Sequence, residues 1–139
     1  LGGLTYGVTS AELADAYSSF VDGSYRQSHT IRKITDLDGN ELYKWPNTSD
    51  NIWTVKTANY MKQLLNDAVR TGTARGISVN SSYVGAKTGT TNHYKDFWVA
   101  GLTNEYTAAV WTGYDKGKSM AAYENTKVHF KIFNAIMNP

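Results

Sequence analysis

A chain of 139 residues, 41% hydrophobic and 19% charged, is long enough for one domain with a real core, too short for two ordinary domains, and not disordered in composition. A formal net charge of +2 without any Lys/Arg run excludes the electrostatic footprint of a nucleic-acid binder. The absence of cysteine excludes disulfides and thiolate metal sites, and no stretch is apolar and long enough to span a bilayer or to read as a signal peptide. Ten Tyr and four Trp are read as core residues and amphipathic edges rather than as a sugar or peptide groove, because the Trp residues are spread along the chain. The first residue is Leu1 rather than Met, as expected of a piece of a longer polypeptide.

The chain opens with a helix signal. Thr9-Ser10-Ala11-Glu12 reads as a capping box, in which Thr9 accepts from the Glu12 backbone N–H while Glu12 reaches back. Leu13, Ala16, Tyr17, Phe20 and Val21 then fall on one helical face, and Gly23 stops the helix. The β-prone run from Thr30 to Thr35 and the run from Glu41 to Trp45, joined through Asp38-Gly39, predict a hairpin. Pro46 and the polar residues Asn47 to Asn51 predict a loop.

A second helix is marked by Tyr60, Met61, Leu64, Leu65, Ala68 and Val69, with Thr54 or Thr57 as its cap and Gly72 at its end. Three strands follow. They are Tyr83 to Thr91, Phe97 to Leu102 (apolar enough to be covered on both faces) and Tyr106 to Tyr114, with an Asn104-Glu105 turn between the last two. Phe130, Phe133 and Met137 predict a closing helix from about Asn125 to Asn138. Antiparallel strands with helices at either end make the fold class α+β, as one unit over residues 1–139, with no internal repeat.

The chemistry-bearing stretch is Gly85 to Asn92. Lys87 places a cation on an otherwise small and polar strand, Gly89 allows another backbone or a ligand to approach, and alternation puts Thr88 and Thr90 on one face. An edge strand here would also leave backbone groups free to pair with an extended peptide. Such a set suits an anionic, peptide-like ligand. Lys-Thr-Gly by itself is as well explained as a solvated turn; its surroundings decide. Ala86 to Asn92, then Tyr94 to Gly101 and Trp111-Thr112-Gly113-Tyr114, resemble the class A, bifunctional penicillin-binding proteins, in which Lys-Thr-Gly is the third active-site motif. Leu1-Gly2-Gly3-Leu4, Gly7-Val8-Thr9, the helix from Glu12 to Tyr17, Ile31 to Ile34 and Asp38-Gly39 carry the same resemblance in order along nearly the whole chain.

The resemblance implies the C-terminal part of a transpeptidase domain, outside the cytoplasmic membrane, whose core is a five-stranded sheet with helices on both faces. Such enzymes attack the penultimate D-alanine carbonyl of a peptidoglycan stem peptide with a serine and pass the acyl group to an amine on a neighbouring stem; β-lactams trap the acyl-enzyme. It further implies that Lys87 is catalytic, that Thr88, Gly89, Thr90 and Thr91 bind substrate, and that the Thr90 backbone N–H is an oxyanion donor. It implies no cofactor and no metal. The partners are stem peptide, β-lactam and the N-terminal remainder of the domain, with a membrane reached only through an anchor outside this chain.

One departure is plain. No Ser here is followed by Lys three positions on, so the nucleophile motif is missing from the chain, and Ser78-Val79-Asn80 lies too close to the Lys87 strand to be the family's Ser-x-Asn motif. The isolated chain is therefore expected to be inactive and poorly stable, with exposed apolar surface beside the Lys87 strand or on an adjacent helix. A non-catalytic cell-wall peptide or glycan module is the alternative. A nucleotide-binding reading fails, because Gly113 to Ser119 has three residues between its glycines where a phosphate loop needs four. His29, His93 and His129 lack metal-ligand spacing, and His93 reads as a polar loop residue.

Overall fold

The computed structural model describes Leu4 and residues 6–138. Leu1-Gly2-Gly3 therefore lies outside the described residues. The first helix, α1, spans Ser10–Asp22, and the expected capping box is present at its start. The Glu12 N–H donates to Thr9 Oγ1 (3.2 Å), and the Thr9 N–H donates to Glu12 Oε2 (2.8 Å). Gly23 ends the helix at φ 97°, a left-handed conformation that glycine adopts without strain.

Strand β1 (Ser24–Tyr25) pairs with β4 (Asp50–Asn51), within the segment read as a loop. That pairing lacks a sequence signal because it is two residues long. It closes the base of the predicted hairpin, whose strands are β2 (Lys33–Thr35) and β3 (Glu41–Lys44). Helix α2 (Val55–Arg70) is capped by Thr54, whose hydroxyl accepts from the Thr57 N–H. Its predicted stripe is only partly covered: Leu65 and Val69 are buried, but Tyr60 is 55% and Leu64 61% exposed.

Strands β5 (Val84–Thr90), β6 (Asp96–Thr103) and β7 (Thr107–Gly113) form an antiparallel sheet in that order. β6 is central, which explains its apolar run. Helix α3 (Val128–Met137) starts later than expected, because Lys127 at φ 47° separates it from a 3-10 turn over Ala121–Thr126. The segment from Gly113 to Ser119 is a connection, exposed beyond Gly113.

The sheet register sorts the side chains into two faces. On one, Ala86, Val99 and Val110 meet Phe130, Phe133 and Met137 of α3 to form the core. Gly101 lies on this face, where an added Cβ would come within 2.8 Å of the Phe133 ring, so the glycine lets α3 dock closely. Phe133 is fully buried, worth roughly 1.5–3 kcal/mol of transfer free energy. α1 packs over the opposite face, which carries Lys87, Gly89, Trp98, Ala100 and Trp111, while α2 lies beside β5 and sends Val69 into the core. Of the expected core residues and amphipathic edges, the tryptophans supply only edges. None is buried; Trp98 is half-buried and Trp111 is 39% exposed. The core is filled instead by Phe, Val, Ala and Met, which carry no polar atom to satisfy.

His129 at the start of α3 is buried, stacked on Phe97 at 5.2 Å, and its Nδ1 has no hydrogen-bond partner among the described residues. Burial lowers its pKa below the ordinary 6.5, with the Lys127 charge a smaller cause. The folded state thus favours the neutral ring. Its contribution is complete above the unfolded pKa and is lost as the pH falls below it towards the folded value. The melting temperature is expected to drop between pH 7 and pH 5, and His129→Phe to flatten that drop; an unchanged pH slope in the variant would exclude His129 as its source.

Candidate active site

The exposed face of the sheet and the start of the chain enclose a groove of about 1200 Å3. Lys87 to Thr91 form one wall, Leu4 and Tyr6 to Ser10 with Leu13 and Tyr17 the other, and Trp98, Ala100 and Trp111 the floor. Every site residue expected from the sequence lies along this groove. His93 does not line it; it sits at φ 62° in the 3-10 turn Asn92–Tyr94 that links β5 to β6.

The pairing order fixes which backbone groups are free. The Thr91 N–H donates to Asp96 O (3.2 Å), so odd-numbered residues of β5 face β6. Even-numbered residues face the open edge, and two observations agree with this. Val84 O accepts from Asn66 Nδ2 (2.7 Å) and Thr88 O accepts from Lys87 Nζ (2.9 Å). The Thr90 N–H is thereby on the open edge, on the strand that an extended ligand would join. Side chains obey the same alternation. Thr88 and Thr90 share a face, while Lys87 starts from the other and curls over the edge to reach the Thr88 carbonyl.

Four threonine hydroxyls are differently engaged. Thr88 Oγ1 donates to Thr73 Oγ1 (3.0 Å), and Lys87 Nζ donates to the same oxygen (3.2 Å). Thr73 follows the end of α2 and was not anticipated; Thr71-Gly72-Thr73 carries no sequence signal beyond a helix stop. The Thr90 hydroxyl has no partner among the described residues and is exposed. Thr91 lines the groove, but its hydroxyl is committed to the turn: it donates to Asp96 Oδ2 (2.7 Å) and accepts from the Asp96 N–H (3.0 Å). Thr91 thus shapes the groove end rather than offering a free hydroxyl. Gly89 faces Trp98, and a Cβ there would lie 3.3 Å from the Trp98 Cβ, so its lack of a side chain keeps the floor open above the indole.

Asp96 ties the groove end together. Its second oxygen accepts from Trp111 Nε1 (2.8 Å), so one carboxylate holds both the turn after β5 and the indole of β7. Asp96→Ala is expected to cost about 1–3 kcal/mol in denaturant unfolding. Asp96→Asn keeps an acceptor for Trp111 and a donor for Thr91 and should recover most of the loss; an alanine variant as stable as the parent would contradict this role.

Comparison with known proteins agrees with the geometry. The family "Penicillin binding protein transpeptidase domain" matches residues 2–138. The chain is 45% identical over 138 residues to penicillin-binding protein 4 of Bacillus subtilis, covering 99% of this chain and 22% of that protein. It is 40% identical over 128 residues to penicillin-binding protein 1A of Neisseria gonorrhoeae, covering 85% of this chain and 16% of that protein. It thus spans about a fifth of the length of these relatives. Its fold resembles the crystal structure of penicillin-binding protein 1A from Haemophilus influenzae, with a TM-score of 0.70 at 21% identity over 84% of this chain and 24% of that one. It also resembles the D,D-transpeptidase domain of a peptidoglycan glycosyltransferase from Eggerthella lenta, with a TM-score of 0.67 at 19% identity over 88% of this chain and 30% of that one. The groove, the α+β sheet that builds it and the relatives all converge: the chain belongs to the penicillin-binding protein transpeptidase domain family.

Proposed function

We propose that this chain is the C-terminal portion of a serine-type D-Ala-D-Ala transpeptidase domain that crosslinks peptidoglycan outside the cytoplasmic membrane and is acylated by β-lactams. The observation that carries the reading is the groove that holds Lys87 beside an open strand edge. A stem peptide would lie along that edge as an added strand, its carboxylate near the Lys87 ammonium and the threonine hydroxyls. A serine outside these residues would attack the penultimate D-alanine carbonyl, releasing the terminal D-alanine, and an amine of a neighbouring stem would then take the acyl group. The developing oxyanion would meet the Thr90 N–H, a kind of donor worth about 3 kcal/mol of barrier. Lys87 would supply positive charge and order the proton transfers.

The nucleophile-bearing remainder of the domain has two places to dock. By the alternation set at Thr103, whose N–H donates to Tyr106 O, the backbone groups of Thr107, Ala109, Trp111 and Gly113 point to the open edge of β7. The outer face of α2 exposes Val55, Tyr60 and Leu64. Both features support the expectation that further polypeptide pairs with β7 and covers α2. Among the described residues no helix is long and apolar enough to cross a membrane, so a membrane anchor would belong to other residues.

Two measurements bear on this reading. In the longer polypeptide that contains this chain, fluorescent penicillin should label a serine, and Lys87→Ala should slow labelling by about 100-fold or more. Undiminished labelling of the variant would remove Lys87 from the mechanism. In the same polypeptide, hydrogen exchange at the Ala109 and Trp111 amides is expected to be strongly protected; rapid exchange there would mean that nothing pairs with β7.

A further inference from the structure

Thr73 touches both Lys87 and Thr88, yet it lies on a different element from them and in no recognised motif. Its Oγ1 accepts from Lys87 Nζ at 3.2 Å and from Thr88 Oγ1 at 3.0 Å. A hydroxyl oxygen has two lone pairs and one proton, so two accepted bonds use its acceptor capacity and leave its O–H to donate. The ammonium has three protons. One goes to Thr73 and one to the Thr88 carbonyl at 2.9 Å, which leaves the third. The Thr88 proton is already spent on Thr73. The cluster therefore offers two donors, polarised by one positive charge, and no unused side-chain acceptor at Thr73. A ligand that satisfies it carries negative charge and two acceptor oxygens, as the carboxylate of a peptide C-terminus does.

Thr73 is also held firmly. The Gly72 N–H donates to Asp67 O (3.2 Å) and Ala68 O (3.1 Å), and the Ala74 N–H donates to Ala68 O (3.0 Å). Ala74 on its other side is fully buried. An added Cβ at Gly72 would lie 2.9 Å from Ala68 Cα, so the turn tolerates little rearrangement. An exposed hydroxyl is thus presented from a fixed backbone, as a preorganised donor requires.

We propose that Thr73 is a carboxylate-binding residue at the open β5 edge beside this groove, where it touches Lys87 and Thr88. Its O–H donates to the C-terminal carboxylate of the bound peptide or the carboxylate of a β-lactam, next to the free Lys87 proton, while Thr88 acts through it by orienting that hydroxyl. The inference rests on the transpeptidase reading above and names a contact which that reading does not require.

The test uses the longer polypeptide with two probes, benzylpenicillin and its neutral methyl ester, and reads the ratio of their second-order acylation rates. Thr73→Val, which keeps the shape and removes the hydroxyl, should slow the acid by about tenfold or more and leave the ester rate nearly unchanged, so that the preference for the carboxylate collapses. Thr73→Ser should restore the preference. Thr73→Ala gives the same comparison if the valine variant does not fold. A wild-type ratio in the variants that lack the hydroxyl overturns the proposal, as does an equal loss with both probes, which would mean that Thr73 only supports the turn or Lys87. A wild-type protein that reacts with neither probe overturns the transpeptidase reading itself, and this inference with it.

Discussion

Pairing β5 with β6 along one side only settles three things at once, because an antiparallel strand points its backbone groups alternately to its two neighbours and its side chains alternately to its two faces. The odd residues spend their N–H and C=O on β6 and turn their side chains to the groove. The even residues keep their backbone groups at the open edge and turn their side chains to the α3 face. A register slip of one residue would exchange every one of these assignments, moving Lys87 out of the groove wall and the Thr90 N–H into the sheet. The register is held by packing. Ala86, Val99 and Val110 must face Phe133, and Gly101 leaves the space that the Phe133 ring occupies.

The groove is built by two kinds of contact with different roles. Its floor is aromatic: Trp98 and Trp111 lie side by side across β6 and β7, and the Trp111 indole is tethered to Asp96. Its wall is polar, with one ammonium and a set of hydroxyls bonded to one another. An apolar floor lowers the local dielectric and strengthens attraction between the ammonium and an anion above it, while the mutual bonds among Lys87, Thr88 and Thr73 limit the reorganisation needed on binding. Asp96 sits at the far end, where its carboxylate is already satisfied by Thr91 and Trp111.

The same half-open construction explains the exposed apolar surface. Among the described residues the outer edges of β5 and β7 pair with no strand, and α2 turns Tyr60 and Leu64 outward, so backbone groups and apolar side chains are left uncovered there. Exposed tryptophans and a polar groove lie on one side and a dry core on the other, so the α3 face is the part of the fold that stands on its own packing.

Local chemistry made much of this chain legible from sequence. The capping box at Thr9, the stop at Gly23, the cap of α2, the hairpin around Asp38-Gly39 and the three strands follow from short-range hydrogen bonding and periodicity, which tertiary packing did not override. The Lys87 to Thr91 stretch was readable because a rare residue order carried a resemblance that spacing alone could not. What needed the tertiary structure was everything that depends on distant partners. Residues 24–25 find residues 50–51 across the hairpin, Lys127 delays the start of the last helix, and Trp98 and Trp111 line a groove instead of a core. Thr73 reaches Lys87 only because the end of α2 is packed beside β5, and Thr91 loses its free hydroxyl to Asp96 only because the turn folds back. Sequence determines what each residue can donate, accept or bury; which partner stands opposite is decided by how helices and strands far apart in the chain come to rest against one another.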